Sequence, residues 1–328
     1  MNKILNQLIN QEPLTRDQSR EVLLRMAREE FSEIQMAAFM TTYLMRSIGV
    51  EELTGFREAL LELAIPLKTE DHCTIDLCGT GGDGKNTFNI STLASLVTAA
   101  AGYKVTKHGN YGVSSVSGSS DVLEYLGYTF TNDNDILLKQ LDRHNICFMH
   151  APLFHPAMKA VGPVRRGLKV KTFFNLLGPL VNPAQPHYQM VGVFNLQVAR
   201  LYHYLLQESD KQFTVVHSLD GYDEISLTGG VRVITNVLDS TLDPADLGLS
   251  LVKESELNGG DSVETAASIF MKILEGKGTQ AQNSVVIANA ALAIRCFNQN
   301  KTLNDCVGEA TDALSSGKAL ATLKAVLS

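Results

Sequence analysis

The sequence predicts an α/β protein, with a small helical domain at the N-terminus and a larger domain whose mostly parallel central sheet is covered by helices. Three observations carry that expectation. Residues 1–65 repeat apolar side chains at three and four positions and show no strand-like alternation. From residue 73 short β-branched runs alternate with helical segments, the texture of a parallel sheet with helices on its faces. Beyond residue 260 the spacing returns to that of helices.

In chain order, "SEIQMAAFMTTYLMRSIG" runs from a Ser32 cap to a Gly49 stop, and "VEELTGFREALLELAIP" adds a helix that Pro66 closes. Ile34, Ala38, Phe39, Met45, Phe56 and Leu60 are the expected packing positions of these helices. So many apolar positions in a small bundle suit either an intramolecular core or a helix-mediated dimer. The alternating region comprises "CTIDLCG", "STLASLVTAAAG", "YKVTKHG", "DVLEYLG", "NICFMHA", "YQMVGVF", "QFTVVHS" and "VRVITNV". "DSVETAASIFMKILEG" and "AQNSVVIANAALAIRCFNQ" are expected to pack on the sheet as helices.

A chain of 328 residues that is 45% hydrophobic can bury a substantial core. Lys and Arg number 28 against 35 Asp and Glu, a net charge of −7 with no basic run. That balance argues against a sequence-independent grip on nucleic acid and for small-molecule partners. No apolar stretch reaches about 18 residues, and "MNKILNQLINQEP" lacks a basic segment followed by an apolar core. Neither a membrane span nor an export signal is expected, which points to the cytoplasm. Cysteines 73, 78, 147, 296 and 306 have the spacing of neither a disulfide framework nor a zinc site, and read as reduced, mostly buried thiols.

The stretch "DLCGTGGDGKNTFNIST" (76–92) satisfies two phosphate-loop patterns. Gly79, Gly81 and Gly84 fit G-x-G-x-x-G, while Gly79, Gly84 and Lys85 fit the Walker loop up to its last position, where Asn86 replaces Ser or Thr. The Walker reading fails because the helix starts too late: the next good cap is Ser91 or Thr92. Asp83 would also put a carboxylate into the phosphate nest. The dinucleotide reading fails because the next strand ends in Lys107 and His108 instead of an acidic residue for a ribose hydroxyl. What remains is a glycine turn with one acidic residue, a second anion-sized cap at "NIST", and a basic strand end, an arrangement suited to a polyphosphate bound through a metal.

Three further segments support a site there. "KHGNYGVSSVSGSSDVLEYLG" (107–127) places Lys, Gly and Ser before an Asp-capped helix. "HPAMKAVGPVRRGLKVKTFFNLLGPLVNPA" (155–184) gathers Arg165, Arg166, Lys169 and Lys171 before a Phe pair. Such a cluster suits an acidic aromatic substrate, because a guanidinium pairs with a carboxylate in a fork. A solvated helix face is the plainer account of it. "HSLDGYDEISLTG" (217–229) sets Asp223 beside Glu224, oxygen ligands suited to magnesium when a substrate supplies the remaining oxygens.

In these motifs, "GTGGD" (79–83), "NIST" (89–92), "KHGN" (107–110), "GSSD" (118–121), "VRR" with "TFFNLLGPLVNP" (164–183) and "DGYDEIS" (220–226), the sequence closely resembles the anthranilate phosphoribosyltransferases. These belong to the nucleoside phosphorylase-like phosphoribosyltransferases. The likeness covers nearly the whole chain. It implies a helical domain of residues 1–66 joined by helices from about 155–185, an α/β diphosphate-binding domain over 73–328, and a homodimer joined through the helical parts. The implied reaction moves the 5-phosphoribosyl group from 5-phosphoribosyl 1-pyrophosphate to the amine of anthranilate, with two Mg2+ ions per site. Gly79, Gly82, Asp83, Thr87, Asn89, Ser91, Thr92, Lys107, Ser115 and Ser119 would bind the sugar diphosphate. Gly79, Asn110 and Arg165 would meet anthranilate, bordered by His108, Pro152 and His155. Ser91, Asp223 and Glu224 would engage the metal, and no residue is required as a covalent or acid–base catalyst.

Four positions depart from the family pattern: Tyr111 where "KHGNR" is usual, Lys171 where Arg precedes "TFFN", Ser218 where "HG" is usual, and Ser120 where "GSAD" is usual. Two readings compete. A pyrimidine nucleoside phosphorylase of the same broad fold is disfavoured by the complete "GTGGD" and "DE" segments. A non-catalytic nucleic-acid-binding relative is disfavoured by the acidic charge and intact metal segment.

Overall fold

The structure, a computed structural model, describes residues 1–69, 72–112 and 116–328. Along the chain run α1 (Asn2–Ile9), α2 (Arg16–Ala27), α3 (Glu33–Met45), α4 (Val50–Leu63), β1 (Ile75–Gly79), α5 (Ile90–Ala100), β2 (Val105–Gly109), α6 (Ser119–Tyr125), α7 (Asn134–His144) and β3 (Ile146–His150). There follow α8 (Ala151–Phe154), α9 (Met158–Leu168), β4 (Tyr188–Gly192), α10 (Leu196–Gln207), β5 (Gln212–Ser218), β6 (Val231–Thr235) and β7 (Asp239–Leu242). The last elements are α11 (Val263–Leu274), α12 (Gln280–Phe297), α13 (Leu303–Ser315) and α14 (Lys318–Leu327). The chain divides into two compact units, Met1–Leu67 with Ala151–Gln185, and Lys68–His150 with Pro186–Ser328.

In the helical unit, Thr15 and Ser32 close reciprocal capping boxes with Gln18 and Gln35, which fix the starts of α2 and α3. Phe39, Tyr43, Phe56 and Phe173 form its aromatic centre, with Phe56 stacked on Phe173 at 4.6 Å. Phe39, Phe56 and Leu60 are buried as expected, but Ile34 and Met45 are 83% and 80% exposed and Ala38 is exposed too. The three outliers share one stripe of α3 with Thr41, at intervals of four, three and four, whereas Met36, Phe39, Met40 and Tyr43 face inward. A helix apolar nearly all round does not reveal from sequence which face it buries.

In the α/β unit one seven-stranded sheet has the order β3-β2-β1-β4-β5-β6-β7. The first five strands are parallel, and β6 and β7 complete the edge antiparallel. The short strand β7, "DSTL", gave no signal in the sequence because it is an edge strand with no buried residue. Both α5 and α12 are buried along most of their length, through Ala, Val, Leu and Ile. Cys147, Cys296 and Cys306 are buried, Cys78 is half-buried, Cys73 is exposed, and all are free thiols. Among the described residues no helix is long and apolar enough to cross a membrane.

Candidate active site

The parallel strands place a crevice where the sheet changes direction. From β1 the chain steps to β2 on one side, and β4 occupies the other; ligands collect at the carboxyl ends of strands at such a switch point. Those ends are Gly79 and Gly192, paired in register. Both are glycines because the turn carrying Asp223 rests on them. A Cβ at Gly79 would lie 2.3 Å from Asp223 Oδ2, and one at Gly192 only 1.5 Å from the Asp223 carbonyl oxygen.

Asp223 Oδ2 accepts the Gly81 N–H at 2.6 Å, and Glu224 Oε1 accepts the Ser91 N–H at 2.9 Å. The second contact corrects the expected helix start. The N-cap of α5 is Asn89, which makes no side-chain cap, and Ser91 lies in the first turn with Glu224 satisfying its N–H. A carboxylate at that end is also favoured by the helix dipole.

Burial pushes the Asp223 carboxyl well above the usual carboxylate range, and the neighbouring charges of Glu224 and Asp83 push it the same way. Glu224 is raised too, chiefly by burial, although the Ser91 N–H and Lys107 pull it back. Lys107, 3% exposed, donates to the Leu77 carbonyl at 2.6 Å and lies 3.5 Å from Ser91 Oγ. Burial lowers its pKa while Asp76, Cys78 and Glu224 oppose that shift. Among the described residues no Lys or Arg is ion-paired with Asp223 or Glu224. Adjacent desolvated carboxylates, with Asp83 near by and no such partner, fit a hard divalent cation. Among the described residues no three His, Cys, Asp or Glu side chains are grouped to hold an ion.

The rest of the glycine loop is braced by the segment after β7. Phe88 N–H donates to Leu257 O at 3.1 Å, Gly259 N–H to Asn86 O at 2.7 Å, and Thr87 bridges Asn258. Gly82 adopts a left-handed φ of 80°, which a tight turn accommodates best at glycine, and Asp83 Oδ1 accepts the Lys85 N–H at 3.0 Å. Asn89 reaches the Ser117 carbonyl at 3.2 Å, Thr92 is buried in the first turn of α5, and Ser119 Oγ donates to Asn110 O at 3.4 Å. The backbone N–H of His108 donates to Asp76 Oδ1 at 3.2 Å, and Asn110 is exposed. Ser115 lies outside the described residues.

Arg165, Pro152 and His155 belong to the helical unit. Arg165 lies 5.3 Å over the Phe174 ring, burial lowers its pKa, and it is in no ion pair among the described residues. Pro152 sits in α8, and His155 is 4% exposed. Sequence reasoning missed Gly192 and Asn289. The signals were a glycine inside an apolar strand, which marks close backbone approach, and a lone carboxamide in the apolar run "VVIANAALAI".

Residues 71–320 match the family model described as "Glycosyl transferase family, a/b domain", and residues 2–64 match "Glycosyl transferase family, helical bundle domain". The chain is 55% identical over 324 residues to the anthranilate phosphoribosyltransferase of Christiangramia forsetii, covering 99% of this chain and 98% of the relative. It is also 55% identical over 326 residues to the protein of that name from Flavobacterium psychrophilum, with the same coverage. The crystal structure of anthranilate phosphoribosyltransferase from Thermus thermophilus aligns with a TM-score of 0.92 at 33% identity, over 98% of each chain. The Saccharomyces cerevisiae enzyme in complex with PRPP and Mg aligns at 0.90 and 23% identity, over 98% of this chain and 95% of that one, a likeness of fold.

Proposed function

The chain belongs to the anthranilate phosphoribosyltransferases, and from that premise we propose that it transfers the 5-phosphoribosyl group of 5-phosphoribosyl 1-pyrophosphate to the amine of anthranilate, releasing pyrophosphate, in tryptophan biosynthesis. The observation that carries this reading is the Asp223–Glu224 turn, seated on Gly79 and Gly192 and tied to Gly81 and Ser91 at the switch point of the sheet.

In this reaction the amine nitrogen bonds to ribose C1, the C1–oxygen bond to pyrophosphate breaks, and the departing oxygen keeps the electron pair. The arylamine is neutral at pH 7, so it attacks without a strong base and releases its proton afterwards. The demand falls on the leaving group, which electrostatics must stabilise. Gly79, Gly82, Asp83, Thr87, Asn89, Ser91, Thr92, Ser115 and Ser119 would cradle the sugar diphosphate. Lys107, held beside Ser91, would set a cation against charge growing on the pyrophosphate. Asp223 and Glu224, with Ser91, would hold two Mg2+ ions, whose chemistry is to neutralise that growing charge. Arg165 would take the anthranilate carboxylate in a fork, Asn110 would orient the ring, and His108, Pro152 and His155 would border it.

The same reading treats residues 1–66 with about 155–185 as the helical domain and 73–328 as the diphosphate-binding domain. It makes the exposed stripe of Ile34, Ala38 and Met45 a surface for a second copy in a cytoplasmic homodimer. Incubation with anthranilate, 5-phosphoribosyl 1-pyrophosphate and Mg2+ tests the activity: anthranilate consumption should match pyrophosphate release and stop on chelation. Folded protein that turns over neither substrate overturns it.

A further inference from the structure

The turn that carries Asp223 and Glu224 is fastened by two side chains that none of the assigned segments includes as ligands. Asn289, 2% exposed on α12, accepts the Ile225 N–H at 3.1 Å through Oδ1 and donates from Nδ2 to the Ile225 carbonyl at 2.9 Å. Its Nδ2 also donates to the Val285 carbonyl of its own helix at 2.9 Å, which fixes the carboxamide plane. Ser218, fully buried at the end of β5, donates to the Glu224 carbonyl at 2.7 Å and accepts the Ser226 N–H at 3.2 Å.

Taken peptide by peptide, these bonds form a double grip. The unit joining Glu224 to Ile225 is held at its carbonyl by Ser218 and at its N–H by Asn289. The unit joining Ile225 to Ser226 is held at its carbonyl by Asn289 and at its N–H by Ser218. Two consecutive peptide planes that would otherwise rotate are pinned at both ends, and Glu224 departs from the first of them. Rotation of that plane by a few tens of degrees would swing the Glu224 side chain off the Ser91 N–H.

We propose that Asn289 and Ser218 are positioning residues that hold Asp223 and Glu224 at the spacing the diphosphate's metal requires. The proposal rests on the reading of those carboxylates as metal-holding. Asn289 carries the larger share, since it takes two groups of one residue through a planar amide. Ser218 holds its two groups through a single hydroxyl. Partners of this outer kind change metal affinity about 10- to 100-fold when removed.

The test is Mn2+ binding in the presence of 5-phosphoribosyl 1-pyrophosphate, followed by electron paramagnetic resonance, in the full-length protein. Asn289→Leu, nearly isosteric and uncharged, should weaken Mn2+ about tenfold and raise the Mg2+ needed for half-maximal activity by a similar factor. Its KM for anthranilate should stay within about twofold of the parent, a split that general loosening of the fold would not produce. Ser218→Ala should weaken Mn2+ about threefold, and it decides the matter if Asn289→Leu does not fold. A folded variant that binds Mn2+ as the parent does overturns the proposal. The pair Asp223→Asn with Glu224→Gln separates the two layers: if that variant also binds Mn2+ normally, the underlying metal reading has failed instead.

Discussion

The helical unit and the α/β unit both take carboxylates out of water, and they treat them oppositely. Glu52, fully buried, accepts Arg46 Nη1 at 2.7 Å and Nη2 at 3.1 Å, the Tyr43 hydroxyl at 3.0 Å, and the N–H groups of Leu14 and Gly49 at 3.1 and 2.8 Å. Its charge is cancelled and its oxygens are filled. Asp223, 8% exposed, accepts the Gly81 N–H with the charges of Glu224 and Asp83 acting against it. The half-buried Glu224 is bonded by Ser91, with Asp83 acting against it and Lys107 pulling the other way, but neither carboxylate is ion-paired among the described residues. Burial alone therefore does not distinguish the two carboxylate groups; burial with or without an ion-paired cation does.

The largest expected effect would break that contrast from the helical side. Arg46→Ala leaves Glu52 buried with its countercharge gone, and should cost about 3–5 kcal/mol of stability in denaturant unfolding. The turn in the α/β unit should respond in the other sense. Asp223→Asn with Glu224→Gln removes a like-charge repulsion, so unfolding midpoints should hold or rise. Its kcat/KM should meanwhile fall by about two to three powers of ten, or roughly 2.7–4 kcal/mol of transition-state stabilisation. A midpoint that drops with activity would show that the turn is a structural element like Glu52.

A smaller effect sharpens the contrast within the helical unit, whose interior also keeps its histidine uncharged. Burial pushes His155 down from 6.5 to about 4, against the carbonyls of Val181 and Leu60, which pull it up. The sign follows from linkage. The unfolded chain takes the proton first, so the stability tied to neutral His155 is whole above pH 6.5 and is lost as pH falls towards 4. At most about 3 kcal/mol is involved. His155→Gln, which still donates to a carbonyl, should flatten the stability profile across that window, and an unchanged acid slope would assign it to other groups.

What the sequence revealed and what it hid divide along the distance over which each contact acts. The glycine loop and the Asp223–Glu224 pair were legible because their chemistry lies in adjacent residues. Six of the seven strands were legible through β-branched runs, and the edge strand β7 was not. The pairing of Ser91 with Glu224 spans 133 residues, and that of Asn289 with Ile225 spans 64. No local period reports a contact of that kind. Sequence reasoning accordingly put the cap of α5 on Ser91 or Thr92, since it could not see a distant carboxylate taking the Ser91 N–H. It likewise named Ile34, Ala38 and Met45 as packing positions without separating an intramolecular face from a dimer face, because apolar spacing on α3 is compatible with two faces and only the packing partner chooses one.

The smallest effect concerns Tyr111, which departs from the family's arginine and lies at the exposed end of the comparison. It is 42% exposed, its hydroxyl donates to Glu124 Oε2 at 3.2 Å, and its ring meets His150 edge-on at 4.6 Å. A hydrogen bond that water can replace contributes under about 1 kcal/mol, so Tyr111→Phe should leave both substrate affinities within about twofold. The ring contact carries more, because Tyr111 follows Asn110, which accepts the Tyr111 N–H at 2.8 Å and whose carbonyl receives Ser119 Oγ and the Ser120 N–H. Tyr111→Gly gives up about 0.5–1.5 kcal/mol of aromatic packing and frees the backbone at that point. Apparent affinities for diphosphate and anthranilate should weaken about fivefold, the equivalent of roughly 1 kcal/mol. Steady-state constants that do not move in Tyr111→Gly would make the residue part of the solvated surface, and the charge of the usual arginine would then have no successor at this position.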